Sequence, residues 1–233
     1  MLDGLAARLD AQPARPVLRV AVDGVDGAGK TTLADELAAR LRSLGRKVIR
    51  ASADGFHHPR AVRYGRGRAS PEGFYRDSYD YVGLRRALLD PLGPGGSLRY
   101  QTAMFDVDED QPILREEQIA RPGSVLIVDG LFLHRPELRD VWDDSIFLRV
   151  AFAVSVPRGR RVAPASALPI RRPRATAVTS GETGCTFRRR TRRTGRALCW
   201  TTTIWMHPSS CPPELSSAAE AHPCRPGGAV ADG

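Results

Sequence analysis

A short glycine-rich segment carries the residues of this chain that are best suited to chemistry. Residues 24–31 read G-V-D-G-A-G-K-T and match the phosphate-binding loop pattern G-x-x-x-x-G-K-[ST] at every fixed position. Glycines let backbone amides curl around a polyphosphate, Lys30 can reach the β- and γ-phosphates, and the Thr31 hydroxyl can ligate Mg²⁺. The segment therefore predicts that the chain binds a nucleoside triphosphate. The predicted ATP contacts are Gly24, Val25, Asp26, Gly27, Ala28, Gly29, Lys30, Thr31 and Thr32.

The residues on either side of this loop predict the elements that must position it. Residues 17–22 form an apolar, β-prone run, and leucines recur at helical spacing after the loop, at positions 33, 37, 41 and 44. A glycine-rich turn with an incidental lysine is the alternative, but it does not require this strand–loop–helix context. We expect a strand to lead into the loop and a helix to leave it, ending near Ser43 and Gly45.

Two aspartates follow predicted strands. Residues 47–52 form a second strand that leads to Asp54, and the apolar run 124–128 ends in Asp129. In open α/β sheets, ligands bind at the carboxyl ends of parallel strands, so both side chains are candidates for the site. Asp54 is a candidate base, with a cap or turn aspartate as the alternative. Asp129 is a candidate Mg²⁺ ligand, with a strand-end turn as the alternative.

The remaining pattern predicts an α/β protein of the P-loop NTPase type, with three layers and a mostly parallel sheet. Residues 1–16 are predicted to be a helical extension and residues 17–159 the core. Within the core we expect a surface loop over 60–78, a helix over 79–89, a short strand within 97–105 and another strand over 146–150. Residues 160–233 are predicted to be a basic tail that is disordered or non-native.

The order of four motifs resembles uridine kinase and its relatives, and pantothenate kinase and phosphoribulokinase share the broader plan. The motifs are the loop 24–31, the sequence D-G-F-H at 54–57, the pair at 105–106 and the pair at 129–130. The resemblance covers about residues 17–159. It implies transfer of the ATP γ-phosphoryl group to a small-molecule hydroxyl, with ATP and Mg²⁺ bound and Asp54 as the base.

The same resemblance implies a set of substrate contacts. Two of them have structural alternatives, because Asp80 can equally be a charge at a helix N-terminus and Phe105 a core aromatic. Arg158 is the one convincing match to the arginines of the family's lid. The implied substrate-binding residues are Asp54, His57, Asp80, Phe105 and Asp106.

The composition of the last third differs from that of the core. The chain has a net charge of +9, and residues 160–233 contribute 12 Lys and Arg against 4 Asp and Glu. All four cysteines lie there, at 185, 199, 211 and 224, with spacings that fit neither a zinc site nor a compact disulfide framework. No signal peptide or long apolar run is found, so we expect a soluble cytoplasmic protein without a membrane partner.

Hydrophobic periodicity collapses from about residue 160, which predicts a disordered basic tail. A genuine lid of unfamiliar sequence is the second interpretation. A third interpretation is a changed reading frame near 158–162. When the last base of each codon is read with the first two of the next, Trp200-Thr201 and Trp205-Met206 both force Asp, and Met206-His207 forces Ala. The reread segments resemble the closing segments of uridine-kinase-like proteins. In that case the chain lacks the arginine-bearing lid, the last helix and the last strand of the family.

Two classes of function are compatible with these observations. The first is an ATP-dependent kinase for a nucleoside, with pantothenate or sugar kinases as alternatives in the same class. The second is a nucleotide-binding module whose basic tail contacts RNA or DNA. Because nearly all of the excess of positive over negative charge lies in the tail, we favour the kinase and do not expect a nucleic-acid partner. The sequence leaves the oligomeric state open.

Overall fold

The chain folds around a mostly parallel sheet flanked by helices. A computed structural model describes residues 1–151, 155, 186–189 and 200–205. The helices are α1 (Leu2–Asp10), α2 (Lys30–Ser43), α3 (Arg60–Arg63), α4 (Pro71–Asp77) and α5 (Tyr81–Leu84), which continues into a wider turn at Arg85–Leu89. The strands are β1 (Val17–Gly24), β2 (Val48–Ser52), β3 (Arg99–Tyr100), β4 (Phe105–Asp106), β5 (Gln111–Pro112), β6 (Gln118–Ile119), β7 (Ser124–Asp129), β8 (Asp144–Arg149), β9 (Thr186–Arg189) and β10 (Trp200–Trp205).

The described strands of the main sheet lie in the order β2-β7-β1-β8-β10-β9. Strands β2, β7, β1 and β8 are parallel, whereas β10 is antiparallel to both β8 and β9. The pairs β3–β6 and β4–β5 form two small antiparallel sheets. The four parallel strands bring their carboxyl ends to one edge, where Gly24, Ser52 and Asp129 lie. The predicted α/β, P-loop NTPase-type fold is confirmed.

Alternate residues of the buried central strands pack into two hydrophobic layers. From β7, Val125 and Ile127 join α1 and α2 on one face, while Leu126 and Val128 join α5 and its continuation on the other. Strand β7 is buried along its whole length, as an internal parallel strand should be. Burial of both faces gives the sheet a rigid centre, and this rigidity fixes the loops at its carboxyl edge.

The predicted N-terminal extension contains helix α1, which packs on α2 as part of the core. Leu5 and Leu9 are buried against the α2 residues Leu37 and Leu41. Arg8 also donates to Asp144 Oδ2 at 2.7 Å, and this contact ties the helix to the start of β8. Helix α1 therefore contributes packing to the layer that supports the phosphate-binding loop.

One expectation for the middle of the chain was wrong. Residues 60–78 contain α3 and α4 and are therefore not a simple surface loop. Helix α4 forms because Ser70 Oγ accepts a bond from Gly73 N at 3.1 Å and Pro71 occupies the first turn. The short strand expected within 97–105 is present as β3, and a second short strand, β4, begins at the end of that range in a separate sheet. Leu98, with φ of 61°, bends the chain before β3.

The predicted tail falls largely outside the described residues. Within 160–233 the structure describes β9 and β10, which the sequence did not predict because no strand periodicity is evident there. Arg158, the expected lid arginine, lies outside the described residues. The reading-frame interpretation stays a prediction. In the described part of the chain, no helix has the length and apolar character needed to cross a bilayer.

Candidate active site

The loop between β1 and α2 has the backbone geometry that a phosphate site requires. Gly27 and Gly29 adopt φ of 69° and 88°, values that side chains with a Cβ rarely reach. Gly29 is the N-cap of the 14-residue helix α2, and no side chain caps the helix there. The first amides of α2 and the positive end of its dipole are therefore available to an anion.

Lys30 lies at the first position of α2 with its ammonium turned back over the loop. Its Nζ donates to the Val25 carbonyl at 3.0 Å. Burial lowers the pKa of this ammonium below its usual value, but surrounding carboxylates oppose the shift. Those carboxylates are Asp26, Asp23, Asp54 and Asp129. The lysine thus sits where the charges of the candidate site converge, and it is placed to meet phosphate oxygens entering the loop.

Thr31 and Asp129 meet beneath the loop. The Thr31 hydroxyl donates to Asp129 Oδ2 at 2.6 Å, and the Asp129 side chain is only 3% exposed. A hydroxyl and a carboxylate oxygen are ligands suited to Mg²⁺, which protein sites typically hold through one or two such groups together with substrate phosphates. Within the described residues, no cluster of three or more His, Cys, Asp and Glu side chains could hold a metal. The donor set therefore fits Mg²⁺ bound together with a nucleotide.

Asp54 follows β2 in a short 3₁₀ turn, Ala53–Phe56, and is exposed at the carboxyl edge of the sheet. The buried Tyr79 hydroxyl donates to Asp54 Oδ1 at 3.2 Å. Burial, followed by the nearby Asp54 charge, raises the pKa of Tyr79 well above its usual value, so this hydroxyl remains a donor. The carboxylate is thereby oriented while it stays accessible.

His57, a predicted substrate contact, lies next to Asp54, and its contact with substrate stays a prediction. His57 Nδ1 is 2.9 Å from the Asp54 carbonyl oxygen, and the imidazole packs on the Tyr79 ring with 4.4 Å between centroids. Burial lowers the pKa of His57 below its usual value, so the ring is neutral near pH 7. The two rings are tilted by 40° and Tyr79 is buried, so the partly exposed His57 ring provides the accessible face of an aromatic wall beside Asp54.

Further aromatic rings continue this wall beyond Tyr79. The Phe132 ring meets Tyr79 edge-on, with 6.5 Å between ring centroids. Its centroid lies 5.6 and 5.1 Å from those of Phe74 and Tyr75 of α4. Phe132 has φ of 63°, an unfavourable backbone value for a bulky side chain, so its ring position is maintained by the surrounding structure. Phe74 and Tyr75 are 48% and 42% exposed. The cluster therefore presents open aromatic surface.

The other predicted substrate residues have structural partners. Asp80 caps α5 by accepting from Gly83 N at 2.8 Å, which is the alternative considered for it from the sequence. Phe105 is buried in β4. Asp106 Oδ1 accepts backbone bonds from Asp108 and Glu109 and so shapes the turn of the β4–β5 hairpin. The hairpin is joined to the Asp54 turn, because Met104 N donates to the Gly55 carbonyl at 2.8 Å. Their substrate contacts remain predictions.

Three residues near the site were missed from the sequence. Arg50 of β2 donates to Asp129 Oδ1 at 2.9 Å, and a charged residue between Ile49 and Ala51 was the signal that could have revealed it. Asp23, buried just before the loop, accepts from Gly24 N at 2.6 Å and lies 2.8 Å from His134 Nδ1. No sequence pattern around Tyr79 indicates that its hydroxyl reaches Asp54, so its role could not be predicted.

These features define a P-loop phosphotransferase: a loop suited to phosphates, a hydroxyl–carboxylate pair beneath it that suits Mg²⁺, and an accessible carboxylate on the same sheet edge. Among solved structures, the chain is similar to a protein from Silicibacter sp. TM1040 provisionally named a fructose transport system kinase, with 32% identity and a TM-score of 0.52, over 68% of this chain and 79% of that one. It is also similar to a protein from Bacillus stearothermophilus provisionally named a uridine kinase, with 25% identity and a TM-score of 0.58, over 69% and 88%.

The chain therefore belongs to the family of P-loop kinases that includes uridine kinase-like proteins and sugar kinases. No protein-family model and no curated protein sequence matched it. The expected family and the general activity, phosphoryl transfer by a kinase, are confirmed, and the identity of the acceptor is taken up below.

Proposed function

We propose that this protein transfers the γ-phosphoryl group of ATP to a hydroxyl group of a nucleoside. One observation carries the proposal: an exposed carboxylate, Asp54, lies at the same sheet edge as Lys30 and has an aromatic wall beside it. The phosphate loop would bind the triphosphate, and the aromatic wall would bind the flat base of the acceptor.

Each residue of the site has a definable task in this reaction. The loop amides and Lys30 would bind the β- and γ-phosphates and oppose the charge that develops during transfer. Thr31 and Asp129 would hold Mg²⁺, which when bound supplies further neutralisation of phosphate charge. Asp54 would accept the acceptor's hydroxyl proton as the new O–P bond forms and the bond between the γ-phosphorus and the bridging oxygen of ATP breaks. The products are a phosphate monoester and ADP.

The aromatic wall favours a nucleoside within this class. His57 lies beside Asp54 and, with Phe132, is partly exposed, whereas Tyr79 is only 4% exposed and supports both rings from behind. Bases stack on accessible aromatic side chains with little regard to their exact identity. A sugar is the second candidate, because the relative with 32% identity is named for fructose transport. A pantothenate-type acceptor is the third, since that kinase shares the broader plan of the resemblance.

A panel of acceptors tests the proposal. We would incubate the purified full chain with ATP and Mg²⁺, then add uridine, cytidine, adenosine, fructose, glucose or pantothenate singly and follow ADP release. The expected result is ADP release that depends on a nucleoside, with the nucleoside monophosphate found by ³¹P NMR. Release that depends on fructose or pantothenate would contradict the nucleoside proposal. Strongly salt-dependent binding of RNA, without release dependent on any acceptor, would favour the binding module.

We also propose that residues 160–233 result from a changed reading frame and give no guide to function. Three residues that the alternative codon reading forces, two Asp and one Ala, fall where family-like segments are expected. The excess of positive charge then gives no reason to expect a nucleic-acid or membrane partner, and a cytoplasmic location remains our proposal.

Sequencing the coding DNA across codons 150–210 tests this proposal directly. We expect a one-base change to restore the alternative reading. Because the restored chain would regain lid arginines near the transferring phosphoryl group, we expect it to be faster than this chain by about 10³-fold or more. A coding sequence that agrees with the written frame on independent DNA would overturn the proposal.

A further inference from the structure

Arg50 lies under the phosphate loop, where its hydrogen bonds connect two strands and a helix. Its Nη2 donates to Asp129 Oδ1 at 2.9 Å and its Nε donates to Asp35 Oδ1 of α2 at 2.9 Å. Its Nη1 donates to the carbonyl oxygens of Ala51 and Ile127, both at 2.9 Å. All three nitrogens of the guanidinium therefore have partners, and the planar group is fixed.

The two acidic partners of Arg50 differ sharply in environment. The Asp35 side chain is 63% exposed, whereas the Asp129 side chain is 3% exposed and that of Arg50 is 18% exposed. An exposed ion pair contributes little, because water screens it. A buried carboxylate that loses its charged partner is strongly penalised. The partner that matters for Arg50 is therefore Asp129.

Arg50 and Thr31 occupy both oxygens of the Asp129 carboxylate. Thr31 donates to Oδ2 at 2.6 Å and Arg50 donates to Oδ1 at 2.9 Å, so rotation of the carboxylate would break one bond or the other. The hydroxyl hydrogen of Thr31 is thereby directed at Asp129. This direction leaves a lone pair of the Thr31 oxygen free for a metal ion.

This group faces a cavity and is not enclosed in the core. Thr31, Arg50 and Asp129 all line a space of about 310 Å³ at the carboxyl edge of the sheet. Ser52 and Gly55 of the Asp54 turn line the same space. The bonds of Arg50 thus affect groups that ligands can reach, which a purely architectural ion pair would not do.

We propose that Arg50 is a positioning residue of the Mg²⁺ site: it fixes Asp129, which in turn orients the Thr31 hydroxyl for Mg²⁺ that binds with the nucleotide. This inference rests on the proposed function only in requiring that the chain bind ATP with Mg²⁺. Partners of this kind, which orient a metal's ligands, typically change metal affinity by about 10–100-fold when they are lost.

The test measures ATP affinity without any acceptor. For the full chain, the dissociation constant of ATP is determined by calorimetry in EDTA and again in Mg²⁺, and the ratio gives the enhancement due to the metal. Arg50→Lys keeps the positive charge but lacks the planar fork that reaches Asp129 and two carbonyls together. We expect it to lower the enhancement about tenfold, while the affinity in EDTA changes by less than about twofold.

Asp35→Asn is the matched control, because it removes the exposed partner of Arg50 and leaves Asp129 paired. We expect it to keep the wild-type enhancement. The proposal is overturned if Arg50→Lys keeps the wild-type Mg²⁺ enhancement, or if Asp35→Asn loses as much of that enhancement as Arg50→Lys does. It is also overturned if Arg50→Lys weakens ATP binding equally in EDTA and in Mg²⁺. If Arg50→Lys does not fold, Arg50→Gln is measured against the same criteria. Since no acceptor is present, a wrong acceptor assignment cannot affect the result.

Discussion

Replacing Lys30 with methionine lowers the rate of phosphoryl transfer by about 10³-fold at saturating ATP and acceptor. The ammonium is held at the mouth of the phosphate loop by its bond to the Val25 carbonyl, within the field of four carboxylates. Methionine has a similar length but no charge, so the loop would keep its shape while the transferring phosphoryl group lost its closest side-chain cation. Because that cation matters most as charge develops, the loss should fall mainly on kcat.

Lys47 provides a matched control for this substitution. It is exposed and precedes β2, at the end of the strand opposite Asp54, so its charge lies at the other edge of the sheet from the phosphate loop. Lys47→Met removes the same charge from the chain and should leave the rate within about twofold, as expected for a surface change. A Lys30→Met chain that retains a tenth or more of the wild-type rate would contradict the role given to Lys30.

The features of the site that could be predicted from the sequence are those that depend on residues close together in the chain. The phosphate loop is specified by local glycines and by Lys30 and Thr31, and its flanking strand and helix follow from hydrophobic spacing. Asp54 and Asp129 could be placed at one edge because parallel strands end together, and the pairing of β2 with β7 confirms this placement. Their side-chain contacts could not be predicted in the same way.

The missed features depend on contacts between residues far apart in the chain. Arg50 meets Asp129 from a neighbouring strand, and Tyr79 meets Asp54 across an irregular connection, so neither contact has a sequence spacing that could reveal it. Helix α4 was missed for a different reason. Its Ser70-Pro71 start is a recognisable helix signal, but the surrounding Arg, Gly and Tyr residues obscured it.

Replacing Asp54 with asparagine is the second change with a large expected effect. Asparagine keeps the size of the side chain and can still accept the Tyr79 hydroxyl bond, but it cannot take a proton from the acceptor. We expect kcat to fall by about 10²–10⁴-fold, the range for loss of a general base, with the affinity for ATP and Mg²⁺ unchanged. Asp90→Asn, which removes an exposed carboxylate paired with Arg85, should keep the wild-type rate.

Substitution of Tyr79 distinguishes a catalytic role of Asp54 from a structural one. Tyr79→Phe removes the hydroxyl that orients the carboxylate but keeps the ring beside His57, so we expect kcat to fall by about tenfold, as for loss of one bond to a charged group. Tyr100→Phe is its control, because that buried hydroxyl donates to Gln118 in the small β3–β6 sheet. If Asp54 is the base, Tyr79→Phe should add no further loss to the Asp54→Asn chain. If Asp54 only shapes its turn, both substitutions should lower the unfolding temperature and leave kcat near the wild-type value.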